Sequence, residues 1–216
     1  MAMVERSLLA QVLADPLRLQ AMTLSQWDLL LRQARCSDLV ARLAEFSQLH
    51  LAARDIPPPV RVHLQAAQTV QRAQALEVQR EADILESLLM PLGVPVVMLK
   101  GSAYLLGQGP ASIGRTLTDI DILVPRESLA EVESALLIQG WHTTHPDPYD
   151  QHYYRRWMHE LPPLVHVRRG TALDVHHAIL PPTAHAQADS RLIIEAAQAL
   201  PDRVLLVEDE PAIAEL

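Results

Sequence analysis

With 216 residues, 49% of them apolar, the chain has enough material to bury a core, which excludes a largely disordered protein. A formal charge of −8 argues against a general nucleic-acid binder, which needs a basic face to displace counterions. The single cysteine, Cys36, excludes an internal disulfide and points to no oxidising compartment.

The N-terminal "MAMVERSLLAQVLADP" has only a short apolar stretch, interrupted at Gln11, and lacks a small-residue cleavage pattern, so it does not read as a signal peptide. The most apolar segment, "SLLMPLGVPVVML", contains two prolines and falls short of the ~20 residues a bilayer span needs. A cytoplasmic protein with no membrane partner is expected.

From about residue 4 to 90 the pattern is helical, poor in glycine, rich in Ala, Leu, Gln and Arg, with apolar residues three and four apart. Ser25 offers an N-cap ahead of Trp27, Leu29, Leu30 and Leu31. The "DIPPP" stretch at 55–59 interrupts the pattern, because proline cannot continue a helix interior. A long helix then runs over roughly 60–90, with Val78, Ala82, Leu85 and Leu89 on one face, and Gly93 and Pro95 end it.

After Pro95 the period changes. "VVML" at 96–99 is a short apolar run suited to a strand buried on both faces, and "DIDILV" at 119–124 is a second strand stopped by Pro125. Residues 126–140 read as an amphipathic helix closed by Gly140. "WHTTH", "HYYRRWM", "LVHVRR" and "ALDVHH" are further strand candidates, the last two joined as a hairpin at Gly170. The segment 183–216 reads as helix, short strand and helix start; its "RVLLVEDEPAIAEL" is similar to the first strand and acidic pocket of receiver domains, but solvated Glu208, Asp209 and Glu210 account for it without a phosphoacceptor strand. The expected organisation is a helical domain over 1–92, a small α/β (α+β) core with a mixed sheet over 93–182, and a tail over 183–216.

Asp119 and Asp121 share one face of their strand, with Ile120 and Ile122 on the other, and at a two-residue rise of roughly 6 to 7 Å their carboxylates can lean toward one cation. Either water at the strand mouth or a shared cation must relieve their repulsion; Mg²⁺, which takes carboxylate, water and phosphate oxygens, fits the second case. Ser102 is placed to cap the helix that follows Leu99, in a turn where Gly101, Ser102 and the chain's only lysine, Lys100, could meet a phosphate, with Arg115 as a further cation. Asp174 shares a face with His176 and either completes a three-acid metal site or pairs with Arg168 or Arg169. Arg155-Arg156 and Arg168-Arg169, interleaved with Tyr153, Tyr154 and Trp157, form either a basic wall or solvated strand edges. Ten histidines include no H-x-x-x-H pair or His/Cys framework of zinc type, although His176 is placed to contact substrate.

Taken together, the strand ending in Leu99, Gly101-Ser102 at a helix start, Asp119-Ile-Asp121 on a strand and Asp174 on a later one resemble the nucleotidyltransferase superfamily typified by DNA polymerase beta. More narrowly, "GVPVVMLKGSAYLL", "RTLTDIDILVPRESL" and "LDVHHAIL" are similar to a group of largely uncharacterised bacterial nucleotidyltransferase-like proteins, over roughly residues 20–182. The resemblance implies Mg²⁺-dependent transfer of a nucleoside monophosphate from ATP or another nucleoside triphosphate to an acceptor hydroxyl, with pyrophosphate released. Asp119 and Asp121 would hold the metals on the triphosphate, Asp174 the metal at the acceptor, and Gly101 with Ser102 the terminal phosphates. A catalytically inactive nucleotide-binding or regulatory, antitoxin-like protein on the same fold is the alternative.

Overall fold

A computed structural model describes residues 7–185, 188–200 and 203–206, the residues 198–200 and 203–206 by their backbone alone. The expected acidic group at Glu208–Glu210 lies outside the described residues. Two compact units divide the chain: Met1–Leu76 with Ile113–Thr116, and Glu77–Ser112 with Leu117–Leu216.

The first unit is helical. It comprises α1 (Leu8–Ala14), α2 (Leu24–Cys36), α3 (Val40–His50) and the beginning of α4 (Pro58–Leu89). Trp27, Leu30, Leu43 and Leu64 fill its core. The cap of α2 is Thr23 rather than Ser25: its hydroxyl accepts from Gln26 N, and the Gln26 side chain returns to the Thr23 N–H at 2.8 Å. This reciprocal box satisfies two unpaired groups, where Ser25 would satisfy one, so the helix starts earlier than the apolar pattern does. The Ile113–Thr116 segment lies on α3 through Arg42, whose Nη1 donates to Ile113 O at 2.6 Å. Gly114 makes that approach with φ 63°, and a Cβ there would stand 2.5 Å from the Arg42 Cα, so no other residue fits without moving backbone.

The second unit is an α+β core around a seven-stranded mixed sheet. Its strands are β1 (Val97–Leu99), β2 (Ile120–Leu123), β3 (Trp141–Thr143), β4 (Leu164–His166), β5 (Ala172–His176), β6 (Gln198–Leu200) and β7 (Arg203–Leu206), ordered β3-β4-β5-β2-β1-β7-β6. β2 is antiparallel to β1 and parallel to β5. On one face, Met98, Ile120, Ile122, Leu173 and Val175 pack with Val78, Ala82, Leu85 and Leu89 from the end of α4 and with Val132 and Leu136 of α6 (Leu129–Ile138). On the other, Val97, Leu99 and Leu123 pack with Ile193 of α8 (Ser190–Ala196). That second face is also the one carrying the aspartates, so apolar cover and acids share it.

Three local expectations need correction. The "HYYRRWM" segment is helical through Trp157, in α7 (Pro148–Trp157), not a strand. Pro148 begins the helix with its φ already suitable, the Asp147 carboxylate accepts from Tyr149 N at 2.7 Å, and Tyr149, Tyr153 and Trp157 recur at helical spacing on an exposed face. These local signals outweigh the strand preference of tyrosine and tryptophan. Ser102 does not cap α5 (Lys100–Gly107): the helix begins two residues earlier, after Leu99. The tail contributes α8 and then the β6–β7 hairpin, one strand more than expected. Among the described residues no helix is long and apolar enough to cross a membrane.

Candidate active site on the acidic face of the sheet

The site is built where β1, β2 and β5 run side by side. Register sets Asp121 of β2 beside Leu99 of β1 and beside Asp174 of β5. Because strand side chains alternate, Asp121, Asp174 and His176 share a face, and Asp119 lies one residue before β2. Asp119 is half-buried and accepts a hydrogen bond from Thr118 Oγ1 at 3.0 Å. Burial, followed by the charges of Glu160, Asp119 and Asp121, pushes the Asp174 carboxyl up to about 6. Mutual repulsion thus marks the four acids as one electrostatic neighbourhood.

Asp121 is compensated where Asp174 is not. It is only 3% exposed. Lys100 Nζ donates to its Oδ1 at 2.6 Å, and His176 Nε2 donates to the same oxygen at 2.9 Å. Burial raises the Asp121 pKa, but the hydrogen bonds from His176 and Lys100 and their charge outweigh it and hold the carboxyl below its usual range. For Lys100, burial acts to lower the pKa; the hydrogen bond to Asp121 and the charges of Asp121, Glu160 and Asp174 prevail and raise it. The ammonium therefore lies in the field of three acids. Lys100 enters α5 with φ 50°, a conformation uncommon outside glycine and asparagine, which turns the chain sharply from β1 into the helix.

Gly101 and Ser102 are buried in the first turn of α5, whose N–H groups lack helical acceptors. The Ser102 hydroxyl donates inward, to Leu99 O at 2.7 Å and Asp121 O at 3.3 Å, and so ties α5 to β1 and β2. Arg115 belongs to the first unit, in the Ile113–Thr116 segment. Asp174 pairs with neither Arg168 nor Arg169; Arg169 instead grips the buried Glu81 of α4 with two hydrogen bonds, and Arg155 makes two to Glu133 of α6. Of the four arginines that could form a basic wall, Arg155 and Arg169 are therefore engaged in ion pairs.

Sequence reasoning missed Glu160 and His159. The segment around them forms an isolated antiparallel bridge, Glu160 to His176, with Leu161 N donating to Val175 O at 2.9 Å and His177 N to His159 O at 2.9 Å. Glu160 Oε2 then stands 3.2 Å from His176 Nδ1. Pro162-Pro163 masks the extended pairing in the sequence, since prolines signal a turn.

Asp121 and Asp174 side by side, with Asp119 near enough for its charge to act on Asp174, offer the oxygen donors that a hard divalent cation takes; burial raises the Asp174 pKa most, and the acidic neighbours add the repulsion that such an ion would relieve. A family model described as "Uncharacterised nucleotidyltransferase" matches residues 23–209. No curated protein and no solved structure matches the chain.

Proposed function

The chain belongs to a family of uncharacterised nucleotidyltransferases, and we propose that it moves a nucleoside monophosphate from a nucleoside triphosphate to an acceptor hydroxyl on a core of the DNA polymerase beta type. The observation that carries this reading is the β2–β5 register, which pairs Asp121 with Asp174, with the charge of Asp119 felt at Asp174. Asp119, Asp121 and Asp174 are the residues that would hold Mg²⁺. When bound, the ion supplies charge neutralisation for the triphosphate and acidifies the acceptor hydroxyl.

The remaining steps fall to the protein's own groups. The first-turn N–H groups of α5 at Gly101 and Ser102 face a terminal phosphate better than any side chain there, since the Ser102 hydroxyl is already engaged. Lys100, with more than half of its side chain exposed, leaves Asp121 and pairs with a phosphate oxygen. His176 holds Asp121 in place through Nε2 in this reading. The acceptor oxygen bonds to the α-phosphorus as the bond from that phosphorus to the bridging oxygen breaks. Pyrophosphate leaves, and the hydroxyl proton passes to the Asp174 carboxylate.

One observation favours a non-catalytic nucleotide-binding or regulatory protein instead: Asp121 already has two donors, Lys100 and His176, and is satisfied without any divalent ion. The two readings separate in one experiment. The protein and its Asp119→Ala variant are incubated with triphosphates labelled at the α-phosphate, Mg²⁺ and a panel of hydroxyl acceptors. Nucleotidyl transfer predicts label on an acceptor with the parent and background with the variant. Nucleotide binding without transfer in the parent replaces the enzyme with the binding protein.

A further inference from the structure

A second donor cluster lies beside the aspartates. His159, Glu160 and His176 each bring a ring nitrogen or a carboxylate oxygen to within 4.8 Å of the others. Glu160 Oε2 is 3.2 Å from His176 Nδ1 and 3.8 Å from His159 Nε2. Ligands bound at about 2.0–2.1 Å in a tetrahedron stand about 3.3–3.5 Å apart. The two separations lie on either side of that value.

The ring of His176 requires something positive at Nδ1. Its side chain is 1% exposed, and each of its nitrogens faces a carboxylate oxygen. Nε2–H donates to Asp121 Oδ1, which leaves Nδ1 as an acceptor directed at Glu160. A shared proton would satisfy His176 and Glu160 but would give His159 no role. The His159 ring stacks on His176 with centroids 5.2 Å apart, and its Nε2 is the nitrogen that stands 3.8 Å from Glu160 Oε2.

Two imidazoles and one carboxylate are the donor set of zinc sites that keep a fourth place for water. It differs in kind from the all-oxygen aspartate set beside it. A histidine ligand commonly gives its other N–H to a carboxylate, which fixes the ring; Asp121 takes that part for His176. We propose that His159, Glu160 and His176 form a zinc-class metal site, separate from the aspartates and coupled to them through the His176–Asp121 hydrogen bond. Occupancy pins the Glu160 segment to β5 beyond its isolated backbone bridge and sets the orientation of Asp121. The ligands come from a bridge between two distant segments, so no compact histidine motif announces them. The proposal goes beyond nucleotidyl transfer and stands whether or not transfer occurs.

The test uses the tag-free full chain, dialysed against buffered Zn²⁺ at pH 7.5, with bound metal counted by mass spectrometry and the site read by Co²⁺ absorption. One zinc per chain is expected, with visible Co²⁺ bands of four-coordinate intensity. His159→Ala and Glu160→Gln should each weaken zinc binding by at least about 10–100-fold and abolish the bands. Asp119→Asn should bind zinc as the parent does. Circular dichroism checks folding, and His159→Gln replaces His159→Ala if the alanine variant does not fold. Zinc held equally well by the parent and the His159 and Glu160 variants, or no zinc held by the parent, overturns the proposal. So does a loss confined to Asp119→Asn, which would put the ion among the aspartates. Loss of label transfer with zinc binding intact would remove only the proposed function.

Discussion

Replacing Asp174 by asparagine should stabilise the metal-free protein while removing the proposed nucleotidyl transfer. Burial, then Glu160, Asp119 and Asp121, raise the Asp174 pKa from 3.8 to about 6. A raised carboxyl pKa means that the folded state holds the proton more tightly than the unfolded chain. Stability is therefore lost as pH rises from about 3.8 to about 6 and stays lost above that. At about 1.4 kcal/mol per unit the shift corresponds to about 3 kcal/mol. Because the carboxyl is only half-buried, solvent screening reduces this to about 1–2 kcal/mol. For a chain of 216 residues that is a rise of about 2–8 °C in melting temperature. Thermal melts of parent and Asp174→Asn in EDTA, at pH 7.5 and again near pH 4, read the effect. The variant should melt higher at pH 7.5, and the gap should close near pH 4, where both side chains are neutral. A folded variant that melts with or below the parent at pH 7.5, or a gap that ignores pH, would refute the electrostatic account of this face.

Glu81→Ala should cost about 3 kcal/mol in urea unfolding, because Glu81 is 1% exposed, receives two hydrogen bonds from Arg169 and one from Thr171, and its loss takes the carboxylate from Arg169; a change below about 1 kcal/mol would show that the pair does not hold α4 to the β4–β5 hairpin. Lys100→Met should tighten Mn²⁺ binding without nucleotide by about tenfold, equivalent to about 1.4 kcal/mol, as measured by electron paramagnetic resonance titration; unchanged or weaker binding would mean that the ammonium on Asp121 does not share the ion's place. Thr23→Ala should lower stability by about 1 kcal/mol through loss of the capping box, whereas Ser25→Ala should leave it within about 0.5 kcal/mol.

Legibility followed the range of the signal. The apolar run Val97–Leu99, the alternation through Asp119–Leu123 and the register of Val78, Ala82, Leu85 and Leu89 are periodic, and each became the expected element. Asp121 beside Asp174 was approachable because alternation assigns faces, but their adjacency is a pairing between distant strands that no local pattern carries. α7 was misread because its tyrosines and tryptophan suit either element, and the Asp147-Pro148 start is the feature that decides. Glu160 was invisible for the opposite reason: it gains its partner from a single backbone bridge across the sheet, next to two prolines. The ion pair of Lys100 with Asp121 joins residues on different elements, and the left-handed φ at Lys100 is not announced by sequence in a residue other than glycine.

Asp121 and Asp174 are neighbours in register yet are driven apart in basicity. Asp121 is held charged by His176 and Lys100; among the described residues Asp174 has no ion-pair partner, and burial and like charges push it up. Environments that separate two acids in this way divide their labour, one remaining an anion and the other able to hold a proton. On the proposed reading, a divalent ion arriving at this face relieves Asp174 and competes with Lys100 for Asp121 in the same event, so the ammonium becomes available to a phosphate when metal and nucleotide arrive together. The variants at the two residues should then answer Mn²⁺ in opposite directions. Lys100→Met loses a competitor and gains affinity; Asp174→Asn loses a ligand and loses affinity. A shift of the same sign in both would separate the lysine from the metal and leave Lys100 as a permanent structural counter-ion of Asp121.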